Sequence, residues 1–137
     1  MSLASENLQA ALARGMASRP RVGGFPYLAE TLRAAGVTHN HWQLPAGQSL
    51  YLTGLGPVVM QGQPLASGLL DVAPFDQAAL IRALRTDQAG QSSFEQFLRS
   101  SWEAGVISYC VDFGARTVTY RGAGGEEYVE AYPAVQL

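Results

Sequence analysis

Residues 25–44 read FPYLAETLRAAGVTHNHWQL, and residues 94–113 read FEQFLRSSWEAGVISYCVDF. Each stretch opens on a Phe, runs through a segment with helical character, and reaches Ala-Gly-Val before an alternating run. A glycine there suits the left-handed residue that ends a helix, and the alternation after it suits a strand. The register between the copies holds well beyond these twenty positions. Residues 25–64 align with 94–133 without a gap at an offset of 69 (94 − 25), matching Tyr51 with Tyr120, Gly56 with Gly125 and Pro64 with Pro133. Upstream the offset slips by one, and Gln9-Ala10-Ala11-Leu12 with Arg14 matches Gln77-Ala78-Ala79-Leu80 with Arg82. An internal duplication is the reading that accounts for both stretches.

The same order of elements is expected twice. In the first half, Leu3, Leu8, Ala11, Leu12 and Met16 make an approximate helical stripe over residues 3–16. A loop follows at Ser18–Gly24. Pro26 suits the first turn of a second helix, since its missing N–H has no partner to lose there. Strands are expected at 37–44, 49–53 and 57–61, separated by Pro45-Ala46-Gly47 and Gly54-Leu55-Gly56. Residues 64–72 connect the halves and are expected to carry at most a short extended piece. In the second half, Asp76 caps a helix to Arg85, and Ser92-Ser93-Phe94-Glu95 has the form of a capping box before another. Strands are expected at 106–113, with Ile107, Tyr109, Val111 and Phe113 on one face, and at 117–121 and 127–132.

The fold class that follows is α+β. Two α-α-β-β-β half-domains, about 3–64 and 72–133, form one domain spanning 1–137. A lone three-strand meander is marginal, so the two should join around a pseudo-twofold axis. The preferred arrangement is an antiparallel sheet of about six strands with helices covering one face. A sheet curling partly around the helices is the alternative.

Composition narrows the function classes. The chain is 47% hydrophobic and 15% charged, as for an ordered globular protein, and its net charge of −2 gives no general attraction to nucleic acid or anionic membrane. All nine basic residues are Arg. That excludes a Schiff-base lysine, a P-loop lysine and a Ser-Lys dyad. Cys110 is the only cysteine, so no intrachain disulfide forms, as suits a reducing compartment. No stretch approaches the ~18 apolar residues of a membrane span, and residues 1–14 lack the order of a signal peptide. The expectation is a cytoplasmic protein with no membrane and no nucleic-acid partner.

The second half resembles a bacterial and prophage-associated family catalogued as domain of unknown function 1398, whose members are often labelled phage-envelope-like. The resemblance is carried by Phe94-Glu95-Gln96-Phe97-Leu98, Trp102-Glu103-Ala104-Gly105-Val106, Tyr109-Cys110-Val111-Asp112-Phe113, Arg116-Thr117-Val118-Thr119-Tyr120 and Tyr128-Val129-Glu130-Ala131-Tyr132-Pro133. The stretches around Gly23 and Gln48 look like the family's first half. The resemblance implies a phage origin and brings no catalytic residues with it.

Candidate chemistry concentrates on the first strand of each half. His39 and His41, the only histidines, share a strand face and could approach one metal ion. Cys110 stands at the position corresponding to His41, and the two could meet on a pseudo-twofold axis, with Asp112 near them. Asp112, Arg116 and Tyr120 surround one hairpin and could bind a polar ligand, or simply stabilise the sheet. Trp42 and Tyr109 could line a ligand pocket or the core. Glu126, Glu127 and Glu130 form an acidic patch that serves best as a solvated edge. Arg14, Arg19 and Arg21 flank Gly23-Gly24 without a Walker or dinucleotide pattern, and read as a flexible connection. Neither Ser49 nor Cys110 sits in a nucleophile elbow.

No catalytic set and no cofactor requirement emerge. The leading expectation is a non-catalytic module that binds a small ligand or partner, or pairs with itself as a homodimer through an edge strand at 57–61 or 127–132. The alternatives are a metal-dependent enzyme using His39 and His41, and a phage-derived structural or morphogenetic protein.

Overall fold

The computed structural model describes residues 1–137 and contains four helices and six strands. In chain order these are α1 (Leu3–Ser18), α2 (Phe25–Ala34), β1 (Val37–Gln43), β2 (Gln48–Thr53), β3 (Val58–Gln61), α3 (Gln77–Gln88), α4 (Phe94–Glu103), β4 (Val106–Asp112), β5 (Thr117–Gly122) and β6 (Glu127–Ala131). All strand pairs are antiparallel, in the order β3-β2-β1-β4-β5-β6. Two meanders therefore meet at β1 and β4, and β3 and β6 are the free edges. The α+β class and the six-stranded sheet agree with the sequence reading.

Local chemistry sets the helix boundaries. The Ser2 side chain accepts from Ser5 N at the start of α1, and that of Asp76 from Ala79 N at the start of α3. The capping box of α4 lies one residue later than expected. Ser93 Oγ accepts from Gln96 N, and the Gln96 side chain accepts from Ser93 N at 2.8 Å. Ser92 instead donates to Asp87 at 3.3 Å. Both second helices end at a glycine with positive φ, Gly36 at 94° and Gly105 at 84°. At Gly105 a Cβ would also lie 2.5 Å from the Pro74 carbonyl oxygen, because the connector crosses there.

The helices pack on one face of the sheet. Leu8, Ala11, Ala29, Leu32, Leu80, Leu84, Phe97 and Leu98 join Val37, Tyr51, Tyr109, Val111, Phe113, Val118 and Tyr120 in one buried cluster. Two expectations need correction. On α1 the buried stripe is Ala4, Leu8, Ala11 and Gly15, while Leu3 and Met16 are exposed, so the helix is rotated from the predicted face. On β4 a bulge between Val106 and Ser108 puts Val106 in the core and leaves Ile107 half-buried. An irregularity at the corresponding place, between Val37 and His39, does the same to β1. Residues 62–76 hold no strand; Leu65 packs on the core, while Leu69 is fully exposed.

Candidate functional site

Strand alternation divides the candidate residues between two faces. In the β1–β4 ladder, His39 faces Asp112, His41 faces Cys110, and Trp42 faces Tyr109. His39, His41, Cys110 and Asp112 point to the open face. Trp42, Tyr109 and Tyr120 point to the helices and belong to the core or its margin.

On the open face the four side chains form two neighbouring pairs. His41 Nε2 lies 3.9 Å from Cys110 Sγ, and His39 Nε2 lies 3.6 Å from Asp112 Oδ2. The two imidazoles stack with ring centroids 6.1 Å apart. His41 and Cys110 do meet at the centre of the sheet, as their corresponding positions suggested. The pairs do not close into one centre: no group of three or more His, Cys, Asp or Glu side chains stands where it could hold a metal ion. Burial, reinforced by the Asp112 carboxylate, raises the Cys110 thiol above its ordinary value. A thiol held protonated is a poor nucleophile. A cleft of about 340 Å³ beside His39 is lined by Arg33, Thr38, Asp112 and Gly114.

The inward group is aromatic packing. Trp42 stacks on Tyr109 at 6.2 Å, and Tyr109 lies 5.3 Å from Tyr120. Burial pushes the Tyr109 and Tyr120 hydroxyls well above their ordinary range, so both remain protonated. The expected cluster of Asp112, Arg116 and Tyr120 is not assembled. Tyr120 faces the core, Asp112 faces away, and Arg116 sits in the turn between β4 and β5. Asp112 Oδ1 accepts from Ala115 N at 2.9 Å, which ties it to that turn.

The acidic patch also separates. Glu126 lies in the turn before β6 and accepts from Gly124 N. Glu127 pairs with Arg121 at 2.6 Å. Glu130 sits opposite Val118 on the helix side, where it accepts from Arg85 at 2.6 Å, Gln88 at 2.7 Å and Tyr128 at 2.7 Å. Burial works against its charge, but these hydrogen bonds prevail and hold its carboxyl below the ordinary value.

The other edge carries no such fittings. Between Arg33 and Asp71 the chain has no Asp, Glu, Lys or Arg, so the β1–β2–β3 meander holds no carboxylate, guanidinium or ammonium. Val59 and Met60 on β3 are 56% and 42% exposed. The ladder shows which β3 backbone groups are free. Gly62 N donates to Gly47 O at 2.7 Å, while Gln61 faces Gln48, Met60 faces Ser49 and Val59 faces Leu50. Bonded and unbonded pairs alternate in an antiparallel ladder, so Met60 and Val58 bond to β2. Val59 and Gln61 turn their N–H and C=O outward. Pro57, next in the outward series, has no N–H to offer. Sequence reading named both edges without separating them; the long charge-free stretch was the signal that distinguishes them.

A model of the family described as "Protein of unknown function (DUF1398)" matches residues 19–130. The chain is 54% identical over 136 residues to proteins named as uncharacterized from Mycobacterium tuberculosis strain H37Rv and Mycobacterium bovis, matching 99% of this chain and 83% of each relative. The chain belongs to the DUF1398 family. No helix is long and apolar enough to cross a membrane.

Proposed function

We propose that the protein is a non-catalytic binding module that engages an extended partner strand along the free edge of β3. One observation carries this reading. β3 offers the outward N–H and C=O groups of Val59 and Gln61 beside exposed apolar side chains, with no charge to turn a strand away. Edge strands are commonly protected by charge, proline or cover; β6 has the charge, and on β3 Pro57 removes one outward N–H but leaves those of Val59 and Gln61 open. A metal-dependent reaction on the open face would need three donors converging on one point, whereas His39 pairs with Asp112 and His41 with Cys110. A cytoplasmic setting, where the one thiol stays reduced, belongs to the same proposal.

A peptide with the sequence of residues 57–62 tests the edge. Titrated into isotope-labelled protein, it should shift the amide resonances of Val59 and Gln61 most and leave those of β6 in place. A saturating titration that moves neither amide would overturn the reading.

We also infer that the halves arose by duplication of one unit within a single domain. Support comes from the paired bulges and from the ladder centred on His41 and Cys110, which are 69 residues apart. Past the second hairpin the spacing becomes 70 (128 − 58), since Val58 faces Tyr51 where Tyr128 faces Tyr120.

A further inference from the structure

We infer that the strand accepted by β3 is the β3 of a second copy of this chain, paired antiparallel across a twofold axis at Met60. This rests on the edge reading above and adds the identity of the partner. The backbone fixes the register. With Met60 facing Met60 of the second copy, Val59 of each chain faces Gln61 of the other. All the outward N–H and C=O groups of Val59 and Gln61 then find partners, making four hydrogen bonds. An axis at Val59 would instead set Pro57 against Gln61 and lose a donor. The Met60 side chains meet on the helix side of the extended sheet, and each Val59 lies beside Gln61 of the other copy on the open side.

Charge supports a second copy as the occupant. The chain is acidic overall, at −2, yet no Asp, Glu, Lys or Arg lies on β1, β2 or β3 and β3 has no titratable side chain, so two copies meet here without opposing like charges. β6 does not offer the same union. Its outward positions, alternating in the same way, are Glu127, Val129 and Ala131, and Glu130 stands close behind them. One open edge and one acidic edge give a closed dimer with a continuous twelve-stranded sheet, and not a filament. With only four backbone hydrogen bonds at its centre, the dimer is expected to be weak and concentration-dependent.

Light scattering on the full chain over a concentration series tests the pairing. The mass should rise from 14.6 kDa toward about 29 kDa, twice the chain. Val59→Pro removes one outward N–H and leaves the bonds between β2 and β3 intact, and should weaken the dimer at least about tenfold. Val59→Lys should do so through repulsion, which covers the case in which the proline variant does not fold. Val129→Pro, at an outward position of β6, should leave the dimer unchanged. A mass of 14.6 kDa throughout the series overturns self-pairing, as does a dimer that survives both Val59 variants. If the chain stays monomeric but still binds the 57–62 peptide, the edge reading stands and the second copy is the wrong partner. If the peptide fails and the dimer ignores both variants, the edge reading falls as well.

Discussion

The two meanders have the same number of strands and the same direction of travel, and both begin with a bulge after a left-handed glycine. Their edges nevertheless differ in the charge they carry. β6 is flanked by Glu127 held to Arg121 and by Glu130 held to Arg85 and Gln88 on α3. β3 has two exposed apolar side chains and an uncharged glutamine in place of those carboxylates, while outward backbone groups and an exposed valine, Val129 at 54%, are common to both edges. A few side chains therefore set the edges apart, while the shared backbone plan does not. The turns differ in the same manner. Gly47, before β2, has φ 61°, and Arg116, before β5, is the one non-glycine residue with positive φ, at 55°. Gly62 N bonds to the Gly47 carbonyl, and Tyr132 N bonds to that of Arg116.

Exchanging features between the halves puts this comparison at risk. The largest effect is expected at Gly47. An added Cβ would lie 2.1 Å from the Gln63 carbonyl oxygen, in a backbone conformation that already disfavours side chains. Gly47→Ala should cost at least about 2 kcal/mol in urea unfolding. A loss below about 0.5 kcal/mol would show that the connector after β3 yields freely.

A smaller effect, with a pH signature, is expected at Glu130. Its folded carboxyl titrates below the ordinary value of 4.5, so the folded state binds that proton less readily than the unfolded chain. The stabilisation is fully present above about pH 4.5 and is lost as pH falls through the lower folded value. Arg85 is exposed and its charge is screened, so Glu130→Gln should cost only about 1 kcal/mol at neutral pH. The difference from wild type should shrink on acidification. Urea midpoints measured from pH 7 to 3 check this, and a pH-independent difference would contradict it.

The smallest effect is expected at the counterpart of Gly47. Arg116→Gly relieves the left-handed conformation but frees the unfolded chain, so the net gain should be at most about 1 kcal/mol. A loss greater than about 1 kcal/mol would mean that the Arg116 side chain holds the turn.

Much of the fold was legible in the chain. Gly36 and Gly105 announced the helix ends, Asp76 announced a cap, and the repeated order of elements announced six strands. The bulges are not legible, because a single inserted residue leaves no mark on composition, so alternation sets Ile107 on one face with Tyr109, Val111 and Phe113 while the structure buries Val106. The candidate residues divide between the two faces of the sheet. His41 and Trp42 are adjacent, as are Tyr109 and Cys110, so alternation alone places them on opposite faces. The convergence of His41 on Cys110 depended on strand order, which local pattern does not contain. The difference between the edges is legible in the absence of Asp, Glu, Lys and Arg between Arg33 and Asp71.

Amide hydrogen exchange at the two edges tests the central claim most directly. Val59 and Gln61 on β3, and Val129 on β6, point their N–H groups away from their own ladders. In concentrated protein Val59 and Gln61 should exchange slowly, and dilution or Val59→Lys should return Gln61 to fast exchange. Val129 should exchange fast throughout. Equal and concentration-independent exchange at Val59, Gln61 and Val129 would contradict a self-pairing β3 edge set against a charged, unpaired β6.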